Sequence, residues 1–284
     1  MTTLVSGAGG NLGRMIIAHL LDRGVPAADI VAGAHSPRKA SDLAQRGVRV
    51  VRFDYDDLAT LREGLQGIDR FVLVSVSMPF TPVDQHDLVI QAAAEADLAA
   101  LAYTSVYRAD TTALPLAPIH LAAERAITDS GVRSVILRNN SYLELLSGSV
   151  IQGAQTGVIA AAAGDGRVAG ATRTDYAEAA AVAILDDNRL GQTLELSGDT
   201  AYSHDDLAAV AQRLSGRPVR YERVMAEQRT SSLRAAGLDP RMVEVLIAID
   251  TATARGDLDA SDRTLSDMIG HPTVGLDEML GARR

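Results

Sequence analysis

The 284-residue chain predicts an α/β protein built on a doubly wound parallel sheet. Three observations carry this expectation. Short apolar runs rich in Val, Leu and Ile alternate with helix-period segments through the first half. A glycine-rich turn joins the first apolar run to the first helix. No repeat or low-complexity linker divides the chain. Apolar strands alternating with helices of about three turns indicate βαβ units whose sheet is covered on both faces.

Strands are expected at 3–6, 30–34, 48–53, 70–75, 99–104 and 134–137. Helices are expected between them at 11–23, 39–46, 57–64, 83–96 and 118–130. Thr81, Pro82, Val83 and Asp84 form an N-cap signal: a hydroxyl, a proline at the first helical position, and a nearby carboxylate. Gly24, Gly47 and Gly131 fall where helices should stop. Ser203, His204, Asp205 and Asp206 resemble a capping signal opening a helix at 204–215.

After about residue 150 the alternation weakens. "GVIAAAAGDGRVAG" reads as a strand or loop with a Gly-Asp-Gly turn, followed by an alanine-rich helix. "QTLELSGD" reads as a returning strand near 193–198, and the remainder as mostly helical. The expected organisation is a nucleotide-binding core in 1–150, completed by the returning strand. A smaller, interleaved α/β substrate-side region occupies 151–284.

Composition narrows the function. The chain is 47% hydrophobic and 22% charged with a formal net charge of −9, so no basic face is expected for nucleic acid. No 18-residue apolar run exists, and no basic n-region precedes a cleavage site, so a cytoplasmic protein without a membrane partner is expected. Zero cysteines remove disulfides, thiolate metal sites, iron–sulfur clusters and cysteine nucleophiles together. The six histidines are scattered without a His-x-x-x-His pair, so no protein metal site is expected.

"LVSGAGGNLGRMIIAHLL", residues 4–21, carries the strongest local signal. The G-x-G-x-x-G fingerprint would need glycine at 7, 9 and 12, but residue 12 is Leu. The spacing that fits is Gly7-x-x-Gly10-x-x-Gly13. A phosphate needs backbone N–H groups at the positive end of a helix and no Cβ in the way. Gly7 would allow the sharp turn, Gly10 close backbone approach, and Gly13 helix–strand packing. Asn11 and Leu12 would offer N–H groups.

An acid at the end of the second strand would take a ribose 2′-OH. The text there, "IVAGAHSPRKASDL", has no acid until Asp42 and instead holds His35, Ser36, Arg38 and Lys39. An Arg/Lys pair satisfies a 2′-phosphate with charge-assisted bonds, which favours NADP(H) over NAD(H). Asp54 closes the third strand, either toward an adenine edge or as the cap of the helix near 57. Ser75, Val76 and Ser77 end the fourth strand, and Tyr103, Thr104 and Ser105 the fifth. Both lie where the ligand crevice of such a sheet must be.

Together these pieces resemble the atypical, NmrA-like branch of the short-chain dehydrogenase/reductase superfamily. Within it the chain looks most like type 2 NAD(P)H:quinone oxidoreductases and triphenylmethane dye reductases. The segments that carry the resemblance include "GAGGNLG", "FDYDD", "QHDLVIQAA", "AYTSVYRADT", "PLAPIHLAAE", "LRNNSYLE", "LELSGD" and "MIGHPT", in order along almost the whole chain. The resemblance implies a Rossmann-type fold, NADPH, and two-electron reduction of a quinone or dye without a flavin. It implies that Gly7, Gly10, Asn11, Leu12 and Gly13 hold the pyrophosphate. Ser75 and Ser77 would line the cofactor channel, with Tyr103, Thr104 and Ser105 near the nicotinamide. Asn139 and Tyr142 would sit between nicotinamide and substrate. One departure stands out: such proteins commonly place an arginine where His35 stands.

Ordinary short-chain dehydrogenases use Tyr-x-x-x-Lys, the lysine lowering the tyrosine pKa. Here Lys39 is the only lysine and belongs to the cofactor turn, so no tyrosine has that partner. A quinone needs less help, because it accepts hydride readily and its oxygens take protons from water. Asn139, Tyr103 and Tyr142 are the candidate hydrogen-bond donors to a developing oxyanion. His120 is expected to be structural or at the surface. Met78, Phe80, Val106, Leu114, Leu116 and Leu143 are candidate walls for a flat substrate. Asp165, Arg173 and Asp175 are explained by loop turning and helix capping. A non-catalytic NADP(H)-sensing regulator and a reductase of a biosynthetic conjugated substrate stay open as alternatives, as does a homodimer.

Overall fold

The computed structural model describes residues 1–76, 82–260 and 262–281. Ser77, Met78, Phe80 and Thr81 therefore lie outside the described residues. The strands are β1 (Thr3–Val5), β2 (Ile30–Ala34), β3 (Arg49–Arg52), β4 (Arg70–Leu73), β5 (Ala100–Val106) and β6 (Ser134–Asn139). They continue with β7 (Val158–Ala161), β8 (Arg167–Val168), β9 (Thr193–Leu196), β10 (Tyr202–Ser203) and β11 (Arg220–Arg223). The first helices are α1 (Asn11–Asp22), α2 (Ser41–Gln45), α3 (Leu58–Leu65), α4 (Asp87–Glu95), α5 (Ala117–Asp129) and α6 (Leu143–Thr156). They continue with α7 (Arg173–Leu185), α8 (His204–Ser215), α9 (Ala226–Ala235), α10 (Pro240–Ala254), α11 (Thr264–Ile269) and α12 (Leu276–Leu280).

The chain divides into two compact units. The first comprises Met1–Ala109, Pro118–Asn139 and Arg173–Glu195; the second comprises Asp110–Ala117, Asn140–Thr172 and Leu196–Arg284. The expected division at 150 is displaced: residues 110–117 and 140–150 fall in the second unit, and the alanine-rich α7 falls in the first. The cause is the composition of α7. Ala177, Ala179, Ala180, Ala181 and Ala183 are all buried, and such small side chains let α7 lie close against α1. Arg70 holds its end, donating to the carbonyl of Ile184 at 2.5 Å and to Asp187 at 2.7 Å.

The sheet order is β3-β2-β1-β4-β5-β6-β9. The pairs from β3 across to β6 are all parallel. β2 is buried at every position, as expected for an interior strand covered on both faces. Phe53 illustrates how the layers close. Cβ atoms on Gly33 and Gly64 would lie 3.0 and 2.6 Å from Phe53 side-chain atoms, so both positions must stay bare for the ring to fit. The ring packs with Leu4, Val31, Leu61, Phe71 and Tyr103 in the core of this unit.

Most predicted elements are present. α4 is present but starts later than the expected 83: it begins at Asp87, with His86 as its N-cap. Pro82–His86 form hydrogen-bonded turns instead, Gln85 N–H donating to Pro82 and Asp87 N–H to Asp84. Thr81, the expected cap, is outside the described residues. In the second unit α8 carries a full capping box: Asp206 N–H donates to the Ser203 hydroxyl while Ser203 N–H donates to the Asp206 carboxylate. β11, which the sequence left inside a helical stretch, pairs in parallel with β7.

Candidate functional site

The carboxyl ends of β1, β2, β4, β5 and β6 lie along one edge of the first unit's parallel sheet. The order reverses between β1 and β4, the topological switch point where ligands bind in such sheets. At the end of β1 the chain turns through Gly7, whose φ is +65°. Gly10 N–H donates to the Gly7 carbonyl at 2.8 Å. A Cβ on Gly13 would lie 2.6 Å from the same carbonyl oxygen, a backbone clash with nowhere to relax. The third glycine is therefore what lets α1 start against β1.

α1 has Gly10 as its N-cap, no side-chain cap and no acid in its first turn. The N–H groups of Asn11, Leu12 and Gly13 have no intrahelical partner by geometry. Gly10 and Asn11 are exposed. An uncapped helix start, opened by glycines, is a ready anion cradle.

The turn after β2 holds His35, Arg38 and Lys39, all exposed. His35 Nδ1 lies 3.2 Å from Asp54 Oδ1, and Arg52 reaches Asp54 Oδ2 at 3.1 Å. Burial pushes the Asp54 carboxyl up, but Arg52, the Asp56 N–H and His35 outweigh it and hold it below the usual range. Asp54 does not cap α3; Asp57 does, accepting from the N–H groups of Ala59 and Thr60. Among the described residues no carboxylate pairs with Arg38 or Lys39. Their charge is open to a ligand anion.

At the end of β4 three consecutive peptide N–H groups are each held by a side chain. Val74 N–H donates to Ser6 Oγ at 2.9 Å, Ser75 N–H to Thr104 Oγ1 at 2.9 Å, and Val76 N–H to His86 Nε2 at 3.1 Å. Sequence reasoning placed Ser75, Val76 and Thr104 here and missed His86.

Two residues expected at the nicotinamide are committed elsewhere. Tyr103 is fully buried in the core, and its hydroxyl bonds His120 Nδ1 at 3.0 Å. Burial, then the nearby Glu124 charge, pushes its phenol well above the ordinary value. It can neither touch a bound molecule nor give up a proton easily. Ser105 donates to Glu124 at 2.5 Å, within a buried network in which Glu124 grips Arg138 with both oxygens. Arg138 also reaches Glu195 at 2.9 Å. Consecutive strand residues face opposite sides, so Tyr103 and Ser105 point into the α5 layer while Thr104 points away from it.

Asn139 ends β6. It is 5% exposed, and among the described residues neither oxygen nor nitrogen of its amide has a partner. Its neighbour differs: Asn140 donates to the Leu258 carbonyl and accepts from Ser141 N–H. Tyr142 belongs to the second unit, as the half-buried N-cap of α6. Leu143 is buried in that unit's core, which removes it as a substrate wall. Leu114 and Leu116 are half-buried. Asp165 pairs with Arg223 rather than Arg173. Among the described residues no cluster of three His, Cys, Asp or Glu is placed to hold a metal ion, and no helix is long and apolar enough to cross a membrane.

A doubly wound parallel sheet with an uncapped, glycine-opened helix at its switch edge is the Rossmann-type architecture of NADPH-binding reductases. Residues 1–267 match the NmrA-like family, and the chain belongs to it. It is 39% identical to quinone oxidoreductase 2 of Escherichia coli over 274 residues, 96% of each chain. Its fold superposes on the E. coli NADPH-dependent quinone oxidoreductase complexed with NADPH with a TM-score of 0.95, at 38% identity and 99% coverage of both. The Citrobacter triphenylmethane reductase complexed with NADP(H) gives a TM-score of 0.93 at 30% identity, covering 99% of this chain and 100% of that one.

Proposed function

We propose that the protein binds NADPH and reduces a quinone or related conjugated acceptor by two electrons, without a flavin or metal. The residues present fit the cofactor. The α1 start suits a pyrophosphate, Arg38 and Lys39 suit a 2′-phosphate, and Ser75, Val76 and Thr104 form a firm wall along the channel. The 39% identity to a quinone oxidoreductase supports the acceptor class.

NADPH, when bound, supplies the hydride. The chain's own work is positioning, holding donor and acceptor about 3–3.5 Å apart and excluding water. One structural observation carries the reading furthest: the partnerless buried amide of Asn139. A buried amide left unsatisfied costs about 1–3 kcal/mol, so it is retained where something bound completes it. Its NH₂ group suits the oxyanion that develops as a quinone carbonyl is reduced. Tyr103, with its raised phenol and full burial, is not the proton source, and the one proton that completes the hydride reduction comes from water. Tyr142, which the resemblance implies beside the substrate, is the remaining side-chain candidate to orient the acceptor. Its setting is read as cytoplasmic, with small-molecule partners; among the described residues no helix is long and apolar enough to cross a membrane.

Following absorbance at 340 nm with NADPH and a panel of quinones and triphenylmethane dyes tests the proposal. Acceptor-dependent NADPH oxidation is expected. NADPH binding with no turnover across the panel would point to the sensing alternative.

A further inference from the structure

His86 is 0% exposed, and its chemistry is unused by the reaction above. Its Nε2 accepts from Val76 N–H at 3.1 Å, so that nitrogen carries no proton. The neutral ring must then be protonated at Nδ1, and among the described residues Nδ1 has no partner although it is buried. The imidazole lies in a row of edge-packed rings, 6.1 Å from Tyr55 and 5.7 Å from Tyr103. These edge contacts hold its plane. Burial holds its pKa near 4, so at neutral pH the acceptor nitrogen stays bare. A costly orientation, enforced by packing, delivers one hydrogen bond to one peptide.

That peptide is the last of three in which β4 has left its sheet partners. Ser6 from the end of β1, Thr104 from β5 and His86 from the start of α4 hold Val74, Ser75 and Val76 in succession. With all three N–H groups turned inward onto side chains, the peptide planes at this edge cannot rotate independently. We infer that His86 is a positioning residue for the cofactor, locking the Val76 peptide so that the end of β4 is a fixed wall of the nicotinamide channel. The inference rests on the NADPH reading above and assigns a task to a residue that touches no reacting atom.

Nitrogen-15 NMR of full-length, histidine-labelled protein reads the ring directly, with the His86 signals assigned by their loss in His86→Gln. The expected state is a protonated Nδ1 with a bare Nε2; a proton on Nε2 overturns the inference. His86→Leu keeps volume and removes the acceptor. It should raise the Kd for NADPH about three- to tenfold, the worth of one neutral hydrogen bond, with kcat changed less than about twofold. His86→Gln, whose amide oxygen can accept from Val76, should recover most of the loss. Folded His86→Leu with unchanged Kd, or equal losses in both variants, overturns the role of His86 alone. Wild-type protein that binds no NADPH overturns the cofactor reading itself. Should His86→Leu fail to fold, the tautomer and the His86→Gln affinity decide.

Discussion

Asn139 carries two buried polar atoms without partners, and substitution separates what it costs the fold from what it gives the reaction. Asn139→Leu is nearly isosteric and removes both atoms. Stability should hold or rise by up to about 1–2 kcal/mol, while kcat for quinone reduction falls about a hundredfold. Thermal melting and steady-state kinetics on one preparation check both halves; a stability loss with unchanged kcat would make Asn139 merely structural. Which residues were legible beforehand follows from how local their physics is. The need for Gly13 comes from backbone atoms of Ser6 and Gly7, six and seven positions earlier, so spacing alone found it. Tyr103 and Ser105 were misplaced because reading a strand's end does not say which side each residue faces. Their partners, His120 and Glu124, arrive from a helix more than a dozen positions away.

Elements show the same division between local and distant causes. The turn after β2 was legible, since its charge pattern is contiguous: His35, Arg38 and Lys39 with no acid until Asp42. The double variant Arg38→Ala, Lys39→Ala should raise the Kd for NADPH about 10²-fold, at roughly 1.5 kcal/mol for each bond to a charged group lost. Binding of NADH should barely change; equal weakening of both cofactors would move the 2′-phosphate elsewhere. Isothermal titration with the two nucleotides makes the comparison. By contrast, α7 was assigned to the wrong part of the molecule. Its alanines give a helix but no amphipathic stripe, so nothing in the segment says which neighbour it packs on. That information sits in α1 and in Arg70, far away in sequence. β11 was missed because its four residues are mostly exposed and its only partner is β7.

Across the whole molecule, burial of neutral histidines couples stability to pH. Burial lowers the His86 pKa to about 4 and, with the added influence of His86, that of His120 to about 3. The unfolded chain titrates both near 6.5. Between those limits the unfolded state binds protons that the native state refuses. Stability is therefore complete above about pH 6.5 and lost as pH falls toward 3–4. At about 1.4 kcal/mol per unit for each histidine, the loss amounts to several kcal/mol. Calorimetry from pH 7 to 4 should show Tm falling steadily, and His86→Leu should flatten the fall. A flat Tm over that range would mean the rings are not buried neutral.

The interleaving of the two units has a consequence for how the chain is made. Each unit draws on three separate stretches, and the sheet of the first is not complete until β9 at Thr193–Leu196 has been synthesised. A nascent chain that has emerged only as far as α6 holds β1 to β6 and the whole glycine turn before α1, yet lacks the helix that covers α1. It would present a bare apolar face to solvent or to a chaperone while translation continues. The same threading means that neither half can be cut out at a single junction and grafted onto another protein. Variation in what the enzyme accepts must come by exchanging side chains and short segments within a scaffold inherited whole.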